Sequence, residues 1–79
     1  MATRRIIVFT QSDSLPCEAV KLFLRDRKAK YEERTVDDDE DIVRELEEKY
    51  NSQSTPTVVI DDQVVIGFDP ERIDELLEQ

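Results

Sequence analysis

The pattern of apolar and polar residues predicts four short β-strands. Residues 6–9 form a continuous apolar run, which is typical of a central strand covered on both faces. Residues 30–36 alternate weakly between apolar and charged side chains, and we expect an edge strand whose charges discourage edge-to-edge association. Residues 57–60 and 63–66 are two further β-rich runs, and the acidic pair at 61–62 between them predicts a β-hairpin with a tight turn.

Two of the three predicted helices begin with recognisable capping residues. The first extends from about residue 15 to about residue 27, with Ser14 as its N-cap. Pro16 suits the first turn of this helix, because the missing N–H of proline costs nothing there. The last helix begins at Pro70, and Asp69 is its expected N-cap.

The middle helix begins in the acidic run at 37–41 and extends to about residue 50. Negative charge is favoured at a helix N-terminus, whereas a calcium loop needs alternating oxygen ligands and a glycine. We therefore expect a helix start, and no metal site, at this run. The apolar face of this helix is formed by Ile42, Val43, Leu46 and Tyr50.

The order of elements is therefore β-α-β-α-β-β-α. A strand–helix–strand start forms a parallel pair through a right-handed crossover, and the final hairpin must be antiparallel. These rules predict an α/β fold with a four-stranded mixed sheet flanked by three helices. No repeat or linker interrupts the chain, so we expect one domain over residues 1–79.

Charge and composition exclude several function classes. The net charge is −9 with no histidine, and nucleic acid binding is not expected because phosphate contacts need clustered lysine and arginine. No apolar run approaches the ~20 residues of a membrane span. The run after the N-terminal arginines is too short for a signal peptide, so residues 1–5 lead into the first strand. A single cysteine excludes an internal disulfide and favours the cytoplasm, where we expect a monomer.

Cys17 is the only cysteine, and the pattern locates it in the first turn of the first helix. A helix start offers free backbone N–H groups and the positive end of the macrodipole, and both favour a thiolate. Lys21, one turn along, would add to this effect, and Asp13 and Glu18 would oppose it. Without histidine, any chemistry depends on Cys17. The alternative is that Cys17 is a small buried residue without a chemical role.

Four motifs at the ends of the predicted strands resemble one known family. They are Val8-Phe9-Thr10, Ser14-Leu15-Pro16-Cys17, Ser54-Thr55-Pro56-Thr57 and Val65-Ile66-Gly67-Phe68-Asp69. At these spacings they resemble the glutaredoxins, especially the small glutaredoxin-like hydrogen donors for ribonucleotide reductase. The resemblance covers nearly the whole chain. It implies a thioredoxin-like fold and a thiol–disulfide oxidoreductase that carries electrons in cell redox homeostasis.

The resemblance also implies a site. The second motif falls where the family carries Cys-x-x-Cys, and the third matches the loop with a cis proline. In the family, the backbone before that proline pairs with an extended thiol substrate, like an added strand. The implied catalytic positions are Ser14 and Cys17. The implied substrate-binding positions are Gln11, Leu15, Pro16, Thr55, Pro56, Gly67, Phe68 and Asp69.

Position 14 is the main departure from the family pattern. The attacking cysteine, or selenocysteine in some relatives, would stand where this chain has Ser14, and Cys17 aligns with the resolving cysteine. A hydroxyl cannot take part in disulfide exchange, so a two-cysteine cycle within this chain is excluded. Two origins stay open, a native serine or the replacement of a parental nucleophile. An iron–sulfur role is not favoured, because relatives with that role use the first cysteine together with glutathione.

Two function hypotheses follow from the resemblance, and a purely structural small domain is the fallback. In the first, Cys17 exchanges disulfides with a thiol protein or an extended peptide. In the second, the chain is a redox-silent module that binds such a peptide. Glutathione is the alternative small partner and is not favoured, because Gln11 stands where glutaredoxins often have a basic residue and the net charge is −9. No bound cofactor is expected.

Overall fold

The computed structural model describes residues 5–78, which form four strands and three helical regions in the predicted order. Residues 1–4 of the expected strand lead-in lie outside the described part of the chain. The strands are β1 (Ile6–Thr10), β2 (Glu32–Thr35), β3 (Thr57–Ile60) and β4 (Gln63–Ile66), and the helices are α1 (Leu15–Asp26), α2 (Glu40–Arg44) with a π-helical segment (Glu45–Lys49), and α3 (Pro70–Leu77).

The four strands form one mixed sheet in the order β2-β1-β3-β4. Strand β1 pairs parallel with β2 and antiparallel with β3, and β3 pairs antiparallel with β4. The predicted thioredoxin-like α/β fold is therefore confirmed. The apolar run at the start of the chain is a central strand, and all five of its residues are buried. Strand β2 lies at an edge, as its charged pattern predicted.

Helices cover both faces of the sheet. Successive side chains of a strand point to opposite faces, so the apolar residues of β1 need a covering layer on each side. Val8 points into a core cluster with Leu24 of α1 and Ile73 of α3. Phe9, its neighbour, packs in a second cluster with Leu46 of the π-helical segment. The alternation explains why residues 6–9 of β1 are all apolar, since each face of the strand is buried under a helical layer.

The middle helix differs from the prediction. One α-helix to Tyr50 was expected, and the structure has a short α2 that continues as a π-helical segment over Glu45–Lys49. The ring centroids of Tyr50 and Phe9 lie 5.5 Å apart, so this end of the helical region packs on the sheet. A π-turn accommodates one more residue per turn than an α-turn. The segment contains no glycine or proline, so these residues do not indicate the change from α-helix to π-helix.

Within residues 5–78, no helix combines the length and the apolar composition needed to cross a membrane.

Candidate functional site

Ser14 caps α1 as predicted. Its backbone is extended, and its hydroxyl oxygen accepts a hydrogen bond from the backbone N–H of Cys17 at 3.4 Å. Its carbonyl oxygen accepts from the N–H of Glu18 at 3.1 Å. A serine at the N-cap satisfies N–H groups that the helix itself cannot pair. Local chemistry therefore fixes the helix start, and with it the position of Cys17.

The sulfur of Cys17 lies beneath the exposed first turn of α1. Cys17 is a free cysteine with 1% of its surface exposed, whereas Leu15 next to the cap is 84% exposed. Pro16 is exposed as well. Cys17 is therefore buried, while its neighbours Leu15 and Pro16 in the same turn are open to a partner.

Lys21 is held by carboxylates. Its ammonium lies 2.7 Å from a carboxylate oxygen of Glu18 and 3.1 Å from one of Glu33. These contacts raise the pKa of Lys21, with Glu18 making the larger contribution. The expectation that Lys21 supports a Cys17 thiolate is not supported, because two carboxylates compensate its charge. The helical spacing identified Glu18 as a neighbour of Lys21. It could not identify Glu33, because that residue lies on β2.

The carboxylate of Glu33 has a second partner inside the fold. The hydroxyl of Thr10, at the end of β1, donates a hydrogen bond to it at 2.7 Å. This hydrogen bond, followed by the bond from Lys21, lowers the pKa of Glu33 below its ordinary value. The three side chains link β1, α1 and β2 directly beside the loop that leads to Ser14.

The loop before β3 forms a ledge, which we define as Thr55 and Pro56. The peptide bond between them is cis, as the resemblance implied. The Thr55 hydroxyl donates to the side-chain oxygen of Gln11 at 3.0 Å, and the Pro56 carbonyl accepts from the N–H of Gly67 at 2.8 Å. The ledge is thus fixed from both sides by residues that were expected at the site. Among residues 5–78, the backbone N–H and carbonyl of Thr55 have no hydrogen-bond partner.

The segment after β4 has mainly structural contacts. Gly67 has a φ of +83°, a region that favours glycine. The ring of Phe68 packs edge-on against Phe23 of α1, with centroids 5.7 Å apart. The carboxylate of Asp69 accepts from the N–H of Arg72 at 3.2 Å and caps α3 as predicted. Of the three expected binding positions here, Gly67 is joined to the ledge, and Phe68 and Asp69 contact α1 and α3 while they remain exposed.

A second loop-to-loop contact was not anticipated from the sequence. The carboxylate of Asp37 accepts hydrogen bonds from both the backbone N–H and the hydroxyl of Ser12. This contact ties the loop between β1 and α1 to the start of the acidic run. The only sequence signal was an aspartate two residues after the end of β2. Within residues 5–78, no group of three or more potential ligands is arranged to hold a metal ion.

Comparisons with known proteins identify the family. The family model described as Glutaredoxin matches residues 6–65. The chain belongs to the glutaredoxin family. Ser14 and Cys17 lie within the matched region.

Solved structures agree with this assignment. The thioredoxin-like protein BC3987 has 46% sequence identity and a TM-score of 0.86, over 90% of this chain and 97% of that protein. The glutaredoxin-like NrdH-redoxin from Escherichia coli has 28% identity and a TM-score of 0.81, over 91% of this chain and 93% of that protein. A buckwheat glutaredoxin–glutathione complex shares the fold, with 22% identity and a TM-score of 0.76, over 95% of this chain and 74% of that protein. The comparison with curated proteins finds no match.

Proposed function

We propose that this glutaredoxin exchanges disulfides with a protein partner and uses Cys17 as its single thiol. The proposal rests on two features observed together, the capped start of α1 and the fixed ledge. Ser14 fixes the turn that contains Cys17, and Gln11 and Gly67 hold Thr55 and Pro56. Unpaired backbone groups at Thr55 offer an extended partner segment the hydrogen bonds of an added strand.

The exchange takes place in two balanced steps. The Cys17 thiolate attacks a disulfide of the partner, forms a mixed disulfide with one partner sulfur, and releases the other as a thiolate. An external thiol then attacks the mixed disulfide, becomes bonded to the partner sulfur, and returns Cys17 to the thiolate. The external thiol must act as the resolving thiol, because Cys17 is engaged in the mixed disulfide and Ser14 has no sulfur.

Access to the sulfur requires the first turn of α1 to open. Cys17 is 1% exposed in the closed structure. Helix ends are the segments that open at the lowest free energy, and Ser14 contributes one side-chain hydrogen bond to keep this end closed. Burial therefore makes exchange slow without a partner, and docking on the ledge would favour the open turn.

The charges around the site favour a protein over glutathione. Glutathione is anionic and would need cations near the ledge. Lys21 is already paired with Glu18 and Glu33. The buckwheat protein binds glutathione, while the NrdH-redoxin is described as having a thioredoxin-like activity profile. We place this protein with the second kind, as a monomer in the reducing cytoplasm.

A redox-silent binding module is the second candidate function. The burial of Cys17 and the hydroxyl at position 14 favour it. In that role the ledge binds the same kind of extended segment, and no covalent bond forms.

One experiment separates the two functions. A cysteine peptide activated as its mixed disulfide with thionitrobenzoate is incubated with the protein, and the adduct is measured by intact mass. Exchange predicts an adduct with the wild-type chain and none with Cys17→Ala, since Cys17 is the only thiol. Fluorescence anisotropy with an alkylated peptide, which cannot exchange, measures binding alone. Binding without any adduct would reject exchange and support the silent module.

A further inference from the structure

We propose that a groove beside the ledge selects partners whose reacting cysteine is flanked by lysine or arginine. This inference rests on the proposed function, because it specifies the partner of the same site. The feature is a concave surface that extends from the ledge across the outer side of α2. Its floor is apolar and one of its walls is acidic.

Two adjoining depressions make up the groove. The one next to the ledge has a volume of about 290 Å³ and extends from Gln11 and Thr55 to Glu47. The second has a volume of about 820 Å³ and continues from Glu47 along the start of α2. Val36 and Val43 line both depressions and form the shared apolar floor. A segment that pairs with the backbone of Thr55 therefore has a continuous path past Glu47.

The wall of the second depression has a large excess of negative charge. Its lining contains six carboxylates and one guanidinium, that of Arg44. Arg44 lies between Asp41, at 3.7 Å, and Glu48, at 3.8 Å, so its charge is already compensated. Asp39 is occupied as the N-cap of α2. The wall therefore attracts cations and has no cation left to receive an anion.

Three carboxylates of the wall are available to a partner. Within the described residues, Asp38, Glu40 and Glu47 form no ion pair, and all three are exposed. Glu47 matters most, because it alone among them borders both depressions. Charge complementarity across an interface acts mainly on partner choice and association rate. A lysine or arginine a few residues from the partner's cysteine meets these carboxylates when its backbone lies on the ledge.

The chemistry separates this partner from the alternatives. Glutathione carries two carboxylates and one ammonium, so its net charge is negative and the wall disfavours it. An acidic protein segment is disfavoured for the same reason. The preference should weaken as salt is added, because exposed charges separated by more than about 10 Å are screened at 0.1 M ionic strength.

Two labelled peptides of equal length test the proposal by fluorescence anisotropy. Both contain one alkylated cysteine; one has two lysines within three residues of it, and the other has glutamines there. We expect the lysine peptide to bind about five- to thirtyfold more tightly at low salt, as two or three exposed ion pairs allow. Glu47→Lys and, as a milder change, Glu47→Gln should reduce this ratio.

The matched control is Glu78→Lys. It makes the same change of net charge at the end of α3, which packs on the opposite face of the sheet from the groove. The ratio should be unchanged in this variant. Equal binding of the two peptides, or a ratio that survives both Glu47 substitutions, overturns the acidic-groove proposal and leaves the exchange function in place. Binding of neither peptide overturns the docking step of the proposed function, and the groove proposal with it.

Discussion

The hydroxyl oxygen of Ser14 lies 3.4 Å from the backbone nitrogen of Cys17. The first residue of the Ser14-Leu15-Pro16-Cys17 motif therefore caps the helix that carries the only cysteine. The family resemblance implies that a two-cysteine relative has a sulfur at this place, at the N-terminal end of the helix. A serine at this place fixes the helix start and supplies no thiol.

Ser14→Cys should create a complete dithiol site. The two sulfurs would be separated by Leu15 and Pro16, with a cysteine at the cap and one beneath it. We expect an intramolecular disulfide under oxidised dithiothreitol, and reduction of insulin disulfides at least about tenfold faster than the wild type, because an attacking thiol at position 14 now has Cys17 as its resolving thiol. Gln63→Cys adds an exposed thiol on β4 and is the control. Equal activity of the two variants would show that position 14 is not the attacking position.

Removal of the cap should destabilise the protein. Ser14→Ala deletes the acceptor for the Cys17 N–H and should lower the free energy of unfolding by about 1 kcal/mol. Ser14→Asp retains a capping oxygen and should lie close to the wild type. Urea denaturation followed by circular dichroism measures both changes. No difference between the alanine and aspartate variants would contradict the capping role.

Glu33 should make the protein sensitive to acid. The Thr10 hydroxyl, followed by Lys21, lowers the folded-state pKa of Glu33 below 4.5. A lowered pKa contributes stability above the unfolded value, and that contribution is lost as the pH falls through the folded pKa. The free energy of unfolding should therefore fall more steeply below about pH 4.5 in the wild type than in Glu33→Gln. Glu71→Gln, on α3, should keep the wild-type slope.

Cys17→Ser should fold, which makes it a usable control. The change puts a hydroxyl into a site that is 1% exposed and should cost about 1–2 kcal/mol. Thermal or urea unfolding measures the cost. A loss of more than about 4 kcal/mol in the free energy of unfolding would mean that the Cys17 side chain is essential for core packing. It would contradict a reactive thiol at a site that tolerates substitution.

The elements that depend on local or repeated patterns could be predicted from the sequence. The apolar run of β1 indicated a strand buried on both faces, and such a strand is central in the sheet. Ser14 and Asp69 were identified as caps because capping depends on residues within one helical turn. The cis bond before Pro56 followed from the resemblance and not from local pattern.

The remaining features depend on neighbours that are distant in sequence. Lys21 was expected to support the thiolate, yet Glu33 of β2 reaches it across the fold. No residue of the π-helical segment indicates a π-helix in the sequence. The segment contributes Glu47 to the groove. The acidic run at 37–41 was understood as a helix start, and its relation to the ledge became visible only in three dimensions.

The rate of mixed-disulfide formation at Cys17 tests the central claim most directly. An extended peptide and a small disulfide, both activated with thionitrobenzoate, are compared at equal concentration by release of the chromophore, with adduct mass as confirmation. Docking on the ledge predicts that the peptide reacts at least about tenfold faster, a difference of about 1.4 kcal/mol in barrier. Equal rates, or no adduct on the native protein, would contradict partner-assisted exchange through Cys17.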